Sequence, residues 1–346
     1  MIYAKIFFKG LGKLLLVLMA LAVSLYLLVW AINLKDEAPS AESLQLQQIL
    51  QSQVPVPEKE NGFVHYTNHL AKSLDLSDEL RAVLRCESAQ CLSQLQDSPT
   101  DLIALLKPQD AALDAYQTLM NFPGWQSPEM LISSPFVNYI PLIEMQQLFL
   151  LDIWLKVQTG DTTHVKTRLQ QDLSFWRKQL RHANNPFYKR LAVYRIERHF
   201  MYATFIKQYM PTAEYQQLMP ELWSQPFSDG ELSLLLAMAG EWRTNVDAIN
   251  NMLQSASEDR DLLERVVLFD LWRPFVKHQA VSNTFARLNL ACAEQKSAQA
   301  IVAYPWYSWF YNPLGKTFTM LGTDICLEHN KPLFALESKR LLLISP

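Results

Sequence analysis

An all-α fold is predicted by three observations. Glycines are few, nine in 346 residues. No stretch alternates β-branched with polar residues, as a half-buried strand would. Segments rich in Leu, Gln and Ala instead repeat their apolar positions at three and four. Hydrophobic residues make up 49% and charged residues 19%, enough apolar material for a large core. The formal net charge of -3 gives no basic surface for nucleic acid.

The first element is a membrane anchor. Lys5, Lys9 and Lys13 precede residues 14–34 (LLLVLMALAVSLYLLVWAINL), which carry no charge. At ~1.5 Å per residue such a helix crosses a ~30 Å hydrocarbon core. The lysines predict a cytoplasmic N-terminus and place the bulk of the chain on the other side, the periplasm of a bacterial inner membrane. A cleaved signal peptide is the rival reading. Its apolar region is normally shorter, and the nearest small-x-small site, Ala22-Val23-Ser24, lies inside the apolar run. An uncleaved signal anchor is the expectation.

Residues 35–62 read as a polar, Gln-rich spacer, with a short amphipathic helix at 41–53 and an extended Val54-Pro55-Val56-Pro57. The folded helical domain is expected over 63–346. It opens with His65 and His69, four apart on a helix. The run HYTNH lacks the acid of a zinc-protease helix, so a surface pair is the plainer reading. Four cysteines follow: Cys86, Cys91, Cys292 and Cys326. Outside the cytoplasm thiols oxidise, and four cysteines allow three pairings. Cys86–Cys91 with Cys292–Cys326 is preferred, the first pinning a turn and the second clamping the C-terminal region. Metal binding fits less well, because neither pair has two-residue spacing.

Helices are expected at 100–107 and 110–121, then three long ones across 137–210. The first runs over 137–158 and is apolar on nearly every side beyond Gln147, so it must be covered on several faces. Asp152 and Lys156 pair at four residues on its wet strip. Gly160 supplies the left-handed cap, and Asp161 or Thr162 caps the next helix. That helix carries one stripe, Val165, Leu169, Leu173, Trp176 and Leu180, and stops at Asn184-Asn185-Pro186. The third repeats the pattern with Ala192, Ile196, Phe200, Ala203 and Ile206. Two antiparallel helices around a glycine turn resemble one unit of a helical-repeat protein. Helices at 212–222 and 230–256 follow, then a turn and helix over 274–290.

The densest aromatic run is Tyr304, Trp306, Tyr307, Trp309, Phe310 and Tyr311, closed by Asn312-Pro313-Leu314-Gly315-Lys316. These residues cannot all face one core. A cap closing the helical core, a membrane surface and a peptide-holding surface are the three readings.

Several short motifs occur in order: NGF…HL, C…CL, the GD-turned hairpin with DLSFWRKQL, RPFVKHQAVSN and NPLGK. With the anchor, they resemble an uncharacterised family of signal-anchored envelope proteins of Gram-negative bacteria. The resemblance implies a location and no known activity.

No nucleophile elbow, P-loop, dinucleotide fingerprint, calcium loop or cysteine zinc cluster is present, and no cofactor is expected. Polar residues on the central helices, Asp172, Arg177, Arg195, Glu197 and Arg198, are the candidates for scattered chemistry. A carboxylate buried beside Arg is held ionised and suits binding or packing better than acid catalysis. The expected function is protein binding, as scaffold or accessory subunit of an envelope process. A membrane-tethered periplasmic chaperone is one alternative, sharing the layout of anchored lipase foldases without their signature motif. An envelope hydrolase built around Asp172, Glu197 and His199 is the other.

Overall fold

The computed structural model describes residues 2–86, 99–131, 134–255, 273–294, 304–321 and 325–345. Among these the chain is helical throughout, with a single isolated bridge between Asn61 and Gly124 in place of any strand. The all-α expectation holds.

Helix α1 (Ile2–Ile32) contains one apolar stretch, Gly10–Ile32, long enough to cross a membrane and not packed inside the body. α2 (Ala41–Gln51) begins at Ser40, whose hydroxyl accepts from the Ser43 amide. A short α3 (Gly62–His65) runs on into a widened turn at Tyr66–Leu70. α4 (Asp78–Leu84), α5 (Pro99–Leu106) and α6 (Asp110–Met120) lead to the central trio.

That trio is α7 (Ile140–Gln158), α8 (Val165–His182) and α9 (Pro186–Tyr209). Leu148, Phe149, Leu150, Leu151, Ile153 and Trp154 are all fully buried on α7, so the helix is covered on several faces, and Asp152 and Lys156 pair at 3.2 Å on the strip left to solvent. The whole predicted stripe of α8, from Val165 to Leu180, is buried. Gly160 adopts φ +81°, where a Cβ would be strained, and Asp161 N donates to Lys156 O at 2.9 Å. The capping expectation is corrected. α8 starts only at Val165, and its N-cap, His164, makes no side-chain bond. Asp161 instead accepts from Thr163 N at 3.4 Å within the turn.

Beyond the trio lie α10 (Thr212–Leu218), α11 (Glu221–Ser224), α12 (Asp229–Leu232) and α13 (Leu235–Ser255). The helix expected over 230–256 is therefore two. Ser228 and Glu231 form a reciprocal capping box that fixes the short α12 before the chain turns into α13. α14 (His278–Ala293), α15 (Pro313–Leu321) and α16 (Ile325–Ile344) complete the fold, with α16 laid against α9.

Two buried clusters result. The larger is centred on α7, α8 and α9. The smaller joins α2, α13 and α14 through Leu46, Trp242, Ile249, Val281 and Phe285. They meet where α13 crosses the turn between α8 and α9. A Cβ on Gly240 would stand 1.7 Å from Asn184 O, so only glycine lets the backbones approach there.

The smaller cluster revises the reading of 35–62 as a spacer. Leu46 is fully buried and α2 packs on both α13 and α14. Val56 N bonds Gln126 Oε1 at 2.7 Å, and Asn61 caps α3 while its Nδ2 holds Gln126 O at 2.8 Å. The segment is part of the body. Its polar composition reflects pairing with polar groups far along the chain.

Cys86 and Cys292 are buried and neither carries a free thiol. Cys91 and the side chain of Cys326, the expected partners, lie outside the described residues. So does the charged break at 258–260.

Candidate functional site

Three places hold polar or aromatic groups that do more than fill a core. The first is the centre of the trio. Asp172, on α8, and His199, on α9, are both fully buried. His199 Nδ1 lies 2.8 Å from Asp172 Oδ2. Trp223 Nε1, a donor only, points at His199 Nε2 from 2.9 Å. Nε2 must therefore accept, which leaves the ring proton on Nδ1 to bond the carboxylate. Tyr116 donates to Asp172 Oδ1 at 2.6 Å and receives a bond from Trp176 Nε1 at 2.9 Å. Gln146 Nε2 reaches both carboxylate oxygens at 3.2 Å. Burial pushes the Tyr116 hydroxyl far above its ordinary value, and the neighbouring Asp172 charge adds to that. This phenol stays protonated and donating.

Asp172 is bonded by histidine, tyrosine and glutamine, and the Arg195 charge acts on the Tyr116 hydroxyl beside it, so an arginine does stand near this carboxylate. Arg177 turns instead to Glu231, bidentate at 2.7 and 2.8 Å, and to the carbonyls of Gln225 and Pro226. Arg198 donates to Leu84 O at 2.6 Å. Glu197 lies at the surface, 2.6 Å from Lys339. Asp172, Glu197 and His199 thus share no cleft, and the grooves of about 930, 570 and 380 Å3 are lined by other residues.

The second place is the groove of about 930 Å3 between residues 50–64, residues 123–129 and the end of α8. Val54, Val56, Phe63 and Trp125 give it apolar walls, and Lys178, Arg181 and His182 stand on its rim together with one carboxylate, Glu129. Burial lowers the Lys178 pKa. Burial first, then the charges of Arg181, Lys178 and Lys189, lowers that of His182. The Arg181 guanidinium at this edge favours an incoming anion.

The third place is the exit of α1, where RPFVKHQAVSN and NPLGK converge. Asn33, just past α1, is 1% exposed. Its Nδ2 donates to Phe310 O at 2.8 Å, and its Oδ1 accepts from Asn312 N at 2.7 Å. Asn312 takes φ +50°, a conformation asparagine tolerates, and its Oδ1 accepts from Lys277 N at 2.8 Å. Pro313 then opens α15. A Cβ on Gly315 would strike Asn312 Oδ1 at 2.1 Å and Val281 Cγ2 at 2.4 Å, so this glycine lets the joint close. Lys316 Nζ bonds the carbonyls of Ser308 and Tyr311. Asp36 receives the amides of Gln279 and Ala280, so a carboxylate sits on the positive end of α14. Asn283 binds Glu37, Ala38, Ser40 and Ser43.

The aromatic run splits at this joint. Tyr304, Trp309 and Tyr311 turn back and are half-buried. Tyr304 bonds Thr319 at 2.9 Å and packs edge-on to Trp309. The Tyr311 hydroxyl is pushed up to about 12, by burial first and then by the charges of Glu37 and Asp36. Trp306, Tyr307 and Phe310, on a tight turn (Trp306–Phe310), point outward, the first two 78% and 63% exposed. Neither a pure core cap nor a uniform surface describes the run. It is both by turns.

His65 and His69 lie with ring centroids 5.0 Å apart and tilted by 47°, and His65 also meets Phe122 at 4.9 Å. Burial, then the neighbouring His69, lowers the His65 pKa. Among the described residues no group of three potential metal ligands gathers.

The fold and these places define an all-α protein in which, among the described residues, one helix is long and apolar enough to cross a membrane and is joined directly to the helical body. Compared with known proteins, no family model, no curated protein and no solved structure matches the chain.

Proposed function

We propose that this chain is a single-pass envelope protein of a bacterial inner membrane that works by binding another protein. Its N-terminus is cytoplasmic and its helical body periplasmic, with Cys86–Cys91 and Cys292–Cys326 as its disulfides. The order of lysines before the apolar stretch supports the orientation.

The observation that carries the binding reading is the contrast between a closed polar centre and an open groove. The imidazole and carboxylate that a hydrolase would use are fully buried and bonded to each other and to Trp223, Tyr116 and Gln146. No atom of that pair is left to meet a substrate. The groove beside α8 is open, walled by apolar side chains and rimmed by Lys178, Arg181 and His182. It suits an extended protein segment carrying acidic side chains.

The test is capture from crosslinked membranes with the full chain and its Arg181→Glu variant. Arg181 is exposed, with a single long bond to Ser228 at 3.3 Å, so the fold tolerates the reversal. A partner captured by the wild type and lost with the variant supports the reading. Identical capture by both, or none by either, counts against it.

A further inference from the structure

The anchor exit fixes a height as well as a joint. A ~30 Å hydrocarbon core takes about 20 helical residues. Counting back that far from Asn33 ends beside Lys13, the last charge before the apolar run. Asn33 therefore marks the far edge of the hydrocarbon, and the turn it holds through Phe310 O and Asn312 N lies at headgroup level. A second contact reaches deeper. Tyr26, seven positions before Asn33, meets the ring of Phe275 edge-on at 5.4 Å. At ~1.5 Å per residue that contact lies roughly 10 Å towards the bilayer centre. Tyr26, Val29 and Asn33 are the partly or fully covered positions on the last two turns of α1, one face against the body.

From this placement we propose that the Trp306–Phe310 turn and the Arg273–Phe275 turn form a membrane-inserted foot, seating the body in the lipid interface around its own anchor. The occupant is the bilayer leaflet at the C-terminal end of α1. Trp306, Tyr307 and Phe310 are outward-facing, and the Phe310 carbonyl ties their turn to Asn33 at the end of the anchor. Trp and Tyr favour this depth because the ring is apolar and its edge is polar. Exposed Arg273 and Lys35 place cations at the same level, where lipid phosphates lie. The carboxylates of Asp36 and Glu37 would repel that surface. They are engaged by α14, Asp36 with its amides and Glu37 with Asn283. The inference rests on the anchor reading, and its test separates the two.

The full chain is reconstituted into phosphatidylethanolamine–phosphatidylglycerol vesicles with one cysteine added and labelled with a polarity-sensitive fluorophore. The described native cysteines carry no free thiol to compete for label. Labels replace Trp306, Tyr307, Leu21 in the anchor, or Val54, which is 84% exposed away from the joint. Lipids carrying a quencher near the headgroup or deep in the acyl chain report depth. The expected result is shallow quenching at Trp306→Cys and Tyr307→Cys at least about twofold above that at Val54→Cys, with deep quenching at Leu21→Cys. Quenching at Leu21→Cys alone overturns the foot and leaves the anchor standing. No quenching at Leu21→Cys overturns both. A response at 306 and 307 that scales with protein-to-lipid ratio makes a second copy the occupant and overturns the foot. Two neighbouring labels guard against one substitution disturbing the turn.

Discussion

The centre of the trio and the exit of the anchor are built from the same chemistry and do opposite things. Each is a knot of polar side chains joined across long sequence distances. At the centre, Asp172, His199, Tyr116 and Gln146 turn entirely inward, and Trp223 closes the last nitrogen. At the exit, Asn33, Asn312 and Lys316 also satisfy one another and nearby backbone, but the knot holds exposed aromatic rings outward. A buried polar network specifies one arrangement of its helices because any other leaves groups unpaired. The centre uses that property to fix a fold, and the exit uses it to fix the fold against a helix long and apolar enough to cross a membrane. A polar cluster shared by several helices is therefore no sign of catalysis until one of its atoms faces open space.

The largest expected effect comes from breaking the centre. Asp172→Ala leaves the Tyr116 hydroxyl, a Gln146 amide and the His199 ring proton without their acceptor in a fully buried site. A loss of roughly 3–5 kcal/mol is expected in chemical unfolding of the full chain in detergent. A loss below about 1 kcal/mol would mean that water enters the site, and would remove the distinction from the exit.

A pH dependence comes next. Lys189 donates to the carbonyls of Leu180 and Glu231 at 2.7 Å in a buried position. Burial pushes its pKa down from 10.5 to about 7, against the opposing pull of the Glu231 charge. Between those values the unfolded chain binds the extra proton, so stability rises with pH across that window and is lowest below it. Replacing Lys189 with Met removes the group. The difference between wild type and Lys189→Met should favour wild type increasingly from pH 7 to 10, by on the order of 2–4 kcal/mol. A flat difference would show that the ammonium is as well solvated in the fold as outside it.

Gly240 tests whether the two clusters depend on each other. Gly240→Ala would drive a Cβ into Asn184 O, so α13 must shift from the turn between α8 and α9. A loss of about 1–3 kcal/mol in unfolding is expected. Accompanying loss of amide protection in α14 would show that the anchor-side cluster moves with α13, and intact protection there would make the halves independent.

Much of this was legible in the sequence, for reasons that name its limits. Residues 14–34 lack any charge, and a single feature of that kind needs no partner to be read. The stripe from Val165 to Leu180 and the left-handed Gly160 are equally local. The body role of 35–62 was not legible. Asp36, Ser40 and Ser43 meet groups about 240 positions away, and their polarity alone reads as solvation. Asp172 and His199 stood out as candidates, but Trp223 and Tyr116, which decide what the pair can do, lie on other helices. NPLGK read as a stop. Its role as a joint needs Asn33, 279 positions earlier.

The smallest effect on stability is expected at Asn33, and it separates the two knots most sharply. Asn33→Ala removes the bond to Phe310 O and the acceptor for Asn312 N. Asn312 keeps its bond to Lys277, and Lys316 keeps the carbonyls of Ser308 and Tyr311, so the turn stays folded. A loss of about 1 kcal/mol is expected in global unfolding. Exchange of the Asn312 amide should nevertheless quicken about tenfold, because local opening no longer breaks a buried bond. Asn33→Asp keeps the acceptor and should retain most of that protection. Protection equal in all three chains would show that the turn is held by α14 and α15 alone. The aromatic rings would then belong to the body, and their height above the anchor would no longer be fixed by Asn33. The centre has no such detachable member: the Asp172 carboxylate alone takes bonds from Tyr116, Gln146 and His199, which stand on three other helices, so removing it disturbs the helices themselves.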